Sequence, residues 1–163
     1  MSHTSPSLAR RVLRWSVRVL GALVALLVVG VGAVYGVSAN RMSRSYAVAA
    51  HPIPVAADSA TLARGRHVAT IRGCTECHGD NMAGHVMIDD PVMGRIAAAN
   101  LTDGRAGGPM TPEAFELAVR HGVRPDGRSL LIMPAQEFSH ISDEDIGAVY
   151  SYLRSLPAVP MSF

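Results

Sequence analysis

The stretch Ala69-Thr70-Ile71-Arg72-Gly73-Cys74-Thr75-Glu76-Cys77-His78-Gly79-Asp80 decides how this chain is read. It holds the only two cysteines, three positions apart, with a histidine directly after the second. A pair this close cannot close a long loop, which excludes a disulfide scaffold. A thioredoxin-like redox pair needs a βαβ context, and no strand pattern precedes the motif. A structural zinc site wants four ligands, and there is no second cysteine pair. Cys-x-x-Cys-His is instead the form of c-type haem attachment. The two thiols add across vinyl groups on one porphyrin edge, and the adjoining imidazole reaches under the ring to the iron. The expectation is one covalent haem c on Cys74 and Cys77, with His78 as an axial ligand.

Working outward, three segments carry helix signals. Ser59 to Arg72 follows Asp58 or Ser59 as N-cap and runs into the cysteine pair; Leu62, Gly65, Val68, Ala69 and Ile71 supply its buried side. Gly65 costs a helix about 1 kcal/mol relative to Ala, which points to a close helix crossing. Thr111 to His121 has Thr111 as N-cap, Pro112 at the first position and Gly122 as a stop. The third begins at Ser142, with Asp143, Glu144 and Asp145 at the positive end of its dipole. Ile146, Val149, Tyr150 and Leu153 follow at helical spacing, and Pro157 ends it. Between these segments the chain is rich in Gly, Pro and Asp, and no stretch alternates convincingly as a strand. About thirty residues without regular structure are uncommon in a compact domain, which leaves room for a large apolar cofactor.

A six-coordinate iron needs a second axial ligand, and a thioether suits an electron-transfer haem. Met133, in Leu130-Leu131-Ile132-Met133-Pro134, lies in an apolar loop before the last helix, with Pro134 favouring an extended Met133. Met82, Met87 and Met93 follow His78 too closely to reach the opposite face easily. Met110 is the reserve, and His85 or His140 could substitute. His67 and His121 read as surface and helix-terminal histidines.

The N-terminal part is of another kind. Val19 to Asn40 is an uncharged run of twenty-two residues, about 33 Å long as a helix and enough for a ~30 Å hydrocarbon core. Arg10, Arg11, Arg14 and Arg18 precede it, while Arg41 and Arg44 follow. That bias favours a cytoplasmic N-terminus and an exported C-terminal part, in a bacterium the periplasm. Val37-Ser38-Ala39 would serve as a signal-peptide cleavage site, but the run exceeds a signal core, which favours a single-pass anchor in the inner membrane. Up to Asn40 the charge is +4; from Arg41 on it is −2, so the alkaline balance sits in the anchor and gives no support for nucleic-acid binding. The expected organisation is a cytoplasmic tail and transmembrane anchor over 1–40, a proline-containing linker over 41–57 with a solvated His51, and a haem domain over 58–163.

The domain resembles the class I cytochrome c family, specifically single-haem, membrane-anchored bacterial members. The matching blocks are the helix into Cys74-Thr75-Glu76-Cys77-His78-Gly79, then Asn100-Leu101-Thr102. Arg120-His121-Gly122-Val123-Arg124-Pro125-Asp126-Gly127-Arg128 and Met133-Pro134 come next, and last is Ser142-Asp143-Glu144-Asp145-Ile146 through Tyr152-Leu153. Similar blocks occur in cytochrome subunits of periplasmic dehydrogenases. The resemblance implies an all-α fold around one haem, with first and last helices crossing near Gly65 and Tyr152, and His78 and Met133 as axial ligands. It implies a one-electron carrier rather than an enzyme, serving redox partners such as a dehydrogenase, a quinol-oxidising complex or a terminal oxidase. The only Trp is Trp15, so a haem propionate would fall to Arg95, Asn100, Arg120 or Arg124. The competing functions are a haem-based sensor or peroxidase-like protein with an open sixth position, and an anchored interaction module without haem.

Overall fold

A computed structural model describes residues 8–160. The chain divides into two units after Arg44, and each is described by itself. The first is one helix, α1 (Leu8–Met42), apolar and long enough to cross a membrane, with none of its residues buried. It extends the uncharged run on both sides, so Arg10, Arg11, Arg14, Arg18 and Arg41 belong to the same helix, while Arg44 lies just beyond it.

The second unit is built on the crossing of α2 (Ser59–Ile71) with a C-terminal helix, α6 (Asp143–Ser155). The side chain of Asp58 accepts the Thr61 N–H at 3.0 Å, and Ser142 accepts that of Asp145 at 3.2 Å. Each cap satisfies an amide that the first helical turn leaves free. Ile146, Val149, Tyr150 and Leu153 are all buried on α6, as their spacing predicts. Each large apolar side chain so buried contributes about 1.5–3 kcal/mol. Gly65 sits where α2 meets α6, and a Cβ there would collide with the Ala148 carbonyl and the Tyr152 side chain. The crossing expected near Gly65 and Tyr152 is therefore present. Ile71, expected on the buried side, is exposed instead. Six residues beyond Gly65, it has rotated about 120° off that face.

A short helix, α3 (Cys74–His78), comes after a left-handed turn at Gly73. Two strands, β1 (Val86–Asp90) and β2 (Gly94–Ala97), then form an antiparallel hairpin that the sequence does not announce. The fold remains mainly helical, with this hairpin as its only sheet among the described residues. Thr111 caps α4 (Pro112–Glu116) as expected, but the helix widens into a π-turn over Leu117–His121 before Gly122 stops it. The wider turn adds His121, at i+5, to Arg120, at i+4, over the fully buried Glu116, at 3.5 and 3.3 Å from its Oε1. A four-residue helix, α5 (Ala135–Phe138), completes the set.

Residues 45–57, expected as a spacer, are extended but not loose. Ser45 pairs with Arg128, the Tyr46 N–H donates to the Gly127 carbonyl (2.8 Å), and the Ala56 N–H to the Ser151 hydroxyl (3.2 Å). The His51 side chain is exposed, yet its N–H donates to Glu116 (3.3 Å). Prolines suit an extended strap as well as a free linker, because either conformation leaves the backbone without helix bonds.

Candidate functional site

Both thiols are free and half-buried on the single turn of α3. The turn is closed by the Gly79 N–H donating to the Thr75 carbonyl at 2.9 Å, and the Gly84 N–H donates to the His78 carbonyl at 2.8 Å. The His78 Nδ1 lies 2.7 Å from the carbonyl oxygen of Ala99. A carbonyl can only accept, so Nδ1 carries the proton and Nε2 keeps its lone pair for a metal. Burial lowers the His78 pKa, with the Ala99 contact acting against that shift, and so favours the neutral ring. Burial also raises that of the Cys74 thiol.

Cys74 and His78 open onto a small apolar cleft between α2, α3, Met82, Leu101, α4 and α6. Val68, Phe115, Ile146 and Leu153 supply its walls, with Arg72 at one side and Phe138 of α5 at another. Cys77 is not among the lining residues. Among the described residues no group of three or more His, Cys, Asp or Glu side chains converges as a metal site. The donor set, one imidazole with a fixed tautomer and one thiol lining an apolar cleft with a second thiol on the same helical turn, fits a covalently attached metalloporphyrin.

The remaining candidates are distributed differently. Met133 is half-buried in the bend before α5 and does not line the cleft, although Phe138, five residues on, does. Met110 packs on the core and its carbonyl accepts the Tyr150 hydroxyl at 2.9 Å. Met82 is fully buried at the cleft with φ of 56°, on the same turn that leaves His78. Among the propionate candidates, Asn100 is spent on Val159 and Thr102, and Arg120 on Glu116, Asp143 and the Ile141 carbonyl. Arg124 lies 3.7 Å from Asp126. Nothing in the sequence marks Ala99, because a main-chain carbonyl has no residue signature. Phe115 and Phe138 had no site signal beyond apolar character.

These features define a small helical domain with a haem-attachment turn facing an apolar cleft, that of a c-type cytochrome. Residues 60–153, more than half of the chain, match the family model "Cytochrome C oxidase, cbb3-type, subunit III", and the chain belongs to that family. It is similar to a fructose dehydrogenase cytochrome subunit of Gluconobacter japonicus, 34% identical over 112 residues that cover 64% of this chain and 23% of that protein. It is likewise similar to the cytochrome c subunit of a quinone alcohol dehydrogenase of Gluconacetobacter polyoxogenes (41% over 103 residues; 59% and 22%). A third relative is a gluconate 2-dehydrogenase cytochrome c subunit of Pantoea cypripedii (34% over 103 residues; 59% and 23%). The chain thus spans less than a quarter of the length of these relatives. The family and the relatives make the cofactor a covalently bound haem c.

Proposed function

We propose that this protein is a membrane-tethered one-electron carrier, with haem c bonded to Cys74 and Cys77 and its iron ligated by His78 and Met133. The observation that carries the reading is the His78 Nδ1 contact to the Ala99 carbonyl beside the two free thiols. It selects the tautomer and aims the other nitrogen. When bound, the haem supplies reversible one-electron exchange. The chain's part is to hold it covalently, present a neutral imidazole, and exclude water with Val68, Phe115 and Leu153. Met133 contributes a thioether from the loop between Leu130 and α5, which raises the potential relative to two imidazoles.

Because its relatives are named as cytochrome subunits of dehydrogenases, the proposed donor is a dehydrogenase. The acceptor would be a membrane quinone-linked complex or a terminal oxidase, held near by α1 at raised effective concentration. The arginine bias around the apolar run favours a cytoplasmic N-terminus and a periplasmic haem domain.

Haem retained on the polypeptide after denaturation, and lost in Cys74→Ser/Cys77→Ser, is the expected result. A chain without covalent haem would sink the reading. One observation favours a second reading, an open sixth position: Met133 does not line the cleft. The two separate cleanly. The carrier shows the long-wavelength ferric band of methionine ligation, absent in Met133→Ala, whereas rapid carbon monoxide binding by the ferrous wild type favours the open site.

A further inference from the structure

The contact that orients His78 comes from a residue that cannot anchor itself. Ala99 is exposed and its side chain is a single methyl, so its carbonyl is held through its neighbours: the Ala98 N–H donates to the His85 carbonyl at 2.9 Å, the Leu101 N–H to the Met82 carbonyl at 2.8 Å, and two buried polar side chains add a further anchor. Asn100 and Thr102 are buried to 1% and 0% exposure. Asn100 Oδ1 accepts both the N–H and the hydroxyl of Thr102, each at 2.8 Å. Much of what remains is directed at one distant residue, although the Gly104 N–H also donates to Thr102 Oγ1 at 3.3 Å. Asn100 Nδ2 donates to the Val159 carbonyl at 2.7 Å, and the Val159 N–H donates to Thr102 Oγ1 at 3.1 Å. Gly104 completes the slot, because a Cβ there would overlap the Val159 backbone. The main chain of residue 159 is therefore gripped at both its donor and its acceptor. Val159 also lies beyond the segment 60–153 that matches the family.

We propose that this grip makes Asn100, Thr102 and the Val159 backbone positioning elements for the axial imidazole: they hold the Ala99 carbonyl on His78 Nδ1 and so tune the reduction potential. The inference rests on His78 being the iron ligand. A carbonyl accepting the Nδ1 proton increases the basicity of the ring and favours the ferric state. Releasing the tail lets the turn relax, lengthens that hydrogen bond and favours the ferrous state. The grip reads only backbone, so the side chain of Val159 is free to vary.

The test uses the full haem-loaded chain in detergent, compared with a chain ending at Leu156 and with Asn100→Ala. The latter removes the donor to Val159 together with the acceptor for Thr102 and adds no charge. Both are expected to raise the midpoint potential, by up to about 59 mV for a tenfold change in the relative stability of the oxidation states. Both should also speed solvent exchange of the His78 Nδ1 proton. Combining them should add little, since they cut one link. Thr102→Ser, which keeps the hydroxyl, should stay at the wild-type potential. If truncated protein with covalent haem has the wild-type potential and exchange rate, the inference is overturned. Wild-type protein that retains no haem after denaturation overturns the site assignment itself, a separate readout.

Discussion

The α2–α6 crossing and the β1–β2 hairpin are held by opposite means. In the crossing, Val68, Ala69, Ile146, Val149 and Leu153 are buried, and the helix backbones meet at Gly65. In the hairpin, Val92 and Met93 are 94% and 68% exposed at the tip, and Asp90 Oδ1 accepts both of their N–H groups at 2.7 Å. Side-chain packing specifies the first region, and local hydrogen bonds shape the second. The cleft takes part of its wall from the first, through Val68, Ile146, Val149 and Leu153. The carbonyl that aims His78 comes just after the second, three main-chain steps past Ile96. A site can thus draw part of its wall from packed helices and its orientation from a loop whose buried Asn100 and Thr102 are pinned by hydrogen bonds.

The comparison is broken most severely from the crossing side. Leu153→Ala should cost ~2–5 kcal/mol, because the residue is 2% exposed and a cavity would remain. Denaturant unfolding of the haem-loaded domain measures it; a loss below about 1 kcal/mol would mean that Leu153 is not a core residue. Gly65→Ala comes next. Helix propensity gains about 1 kcal/mol, but the new methyl meets the Ala148 carbonyl and Tyr152, and such overpacking costs ~1–3 kcal/mol. A net destabilisation is expected, growing with Gly65→Val. A stabilised Gly65→Ala would refute the close crossing.

The same contrast explains which elements were legible in the sequence. The helices were, because buried faces impose spacing, as at Ile146, Val149 and Leu153, and caps impose residue types, as at Asp58, Thr111 and Ser142. The hairpin was not. Val86, Ile88 and Asp90 are half-buried while Met87 and Asp89 point out, so an apolar residue on the outer side and an acid on the inner side hide the alternation. The π-turn at Leu117–His121 has no residue code. Cys74, Cys77 and His78 were found because attachment chemistry demands those types at that spacing. Their orienting partner, the Ala99 carbonyl, was invisible because every residue has one. Residues 45–57 looked like a spacer for a related reason: their ties to Glu116 and Ser151 run through backbone N–H groups.

A gentler probe of the helical region is its first cap. The Thr61 hydroxyl bonds Asp58 Oδ2 at 2.6 Å, and this bond, followed by the Thr61 N–H, lowers the Asp58 pKa. The unfolded chain therefore binds that proton more readily than the folded one. The carboxylate's contribution is complete above the unfolded value near 4 and is lost as pH falls through the lowered folded value. Asp58→Asn should accordingly melt below wild type at neutral pH, with the gap closing under acid. A gap that widened on acidification would reverse the sign of the argument.

The smallest effect is expected at the hairpin tip, and it sharpens the comparison by its size. Val92→Ser and Met93→Ser remove apolar surface that is already in water, so each should shift unfolding by no more than about 0.5 kcal/mol. The turn itself should survive, since Asp90 still accepts the two tip amides, whose N–H groups do not depend on side-chain identity. Hydrogen exchange at residues 92 and 93 reads this directly, and protection should match wild type. Asp90→Ala should abolish that protection while leaving exchange in α2 and α6 unchanged. If instead Val92→Ser weakened the fold as much as Gly65→Ala, the tip would have to bury its side chain. The division between packed crossing and locally bonded hairpin would then fail.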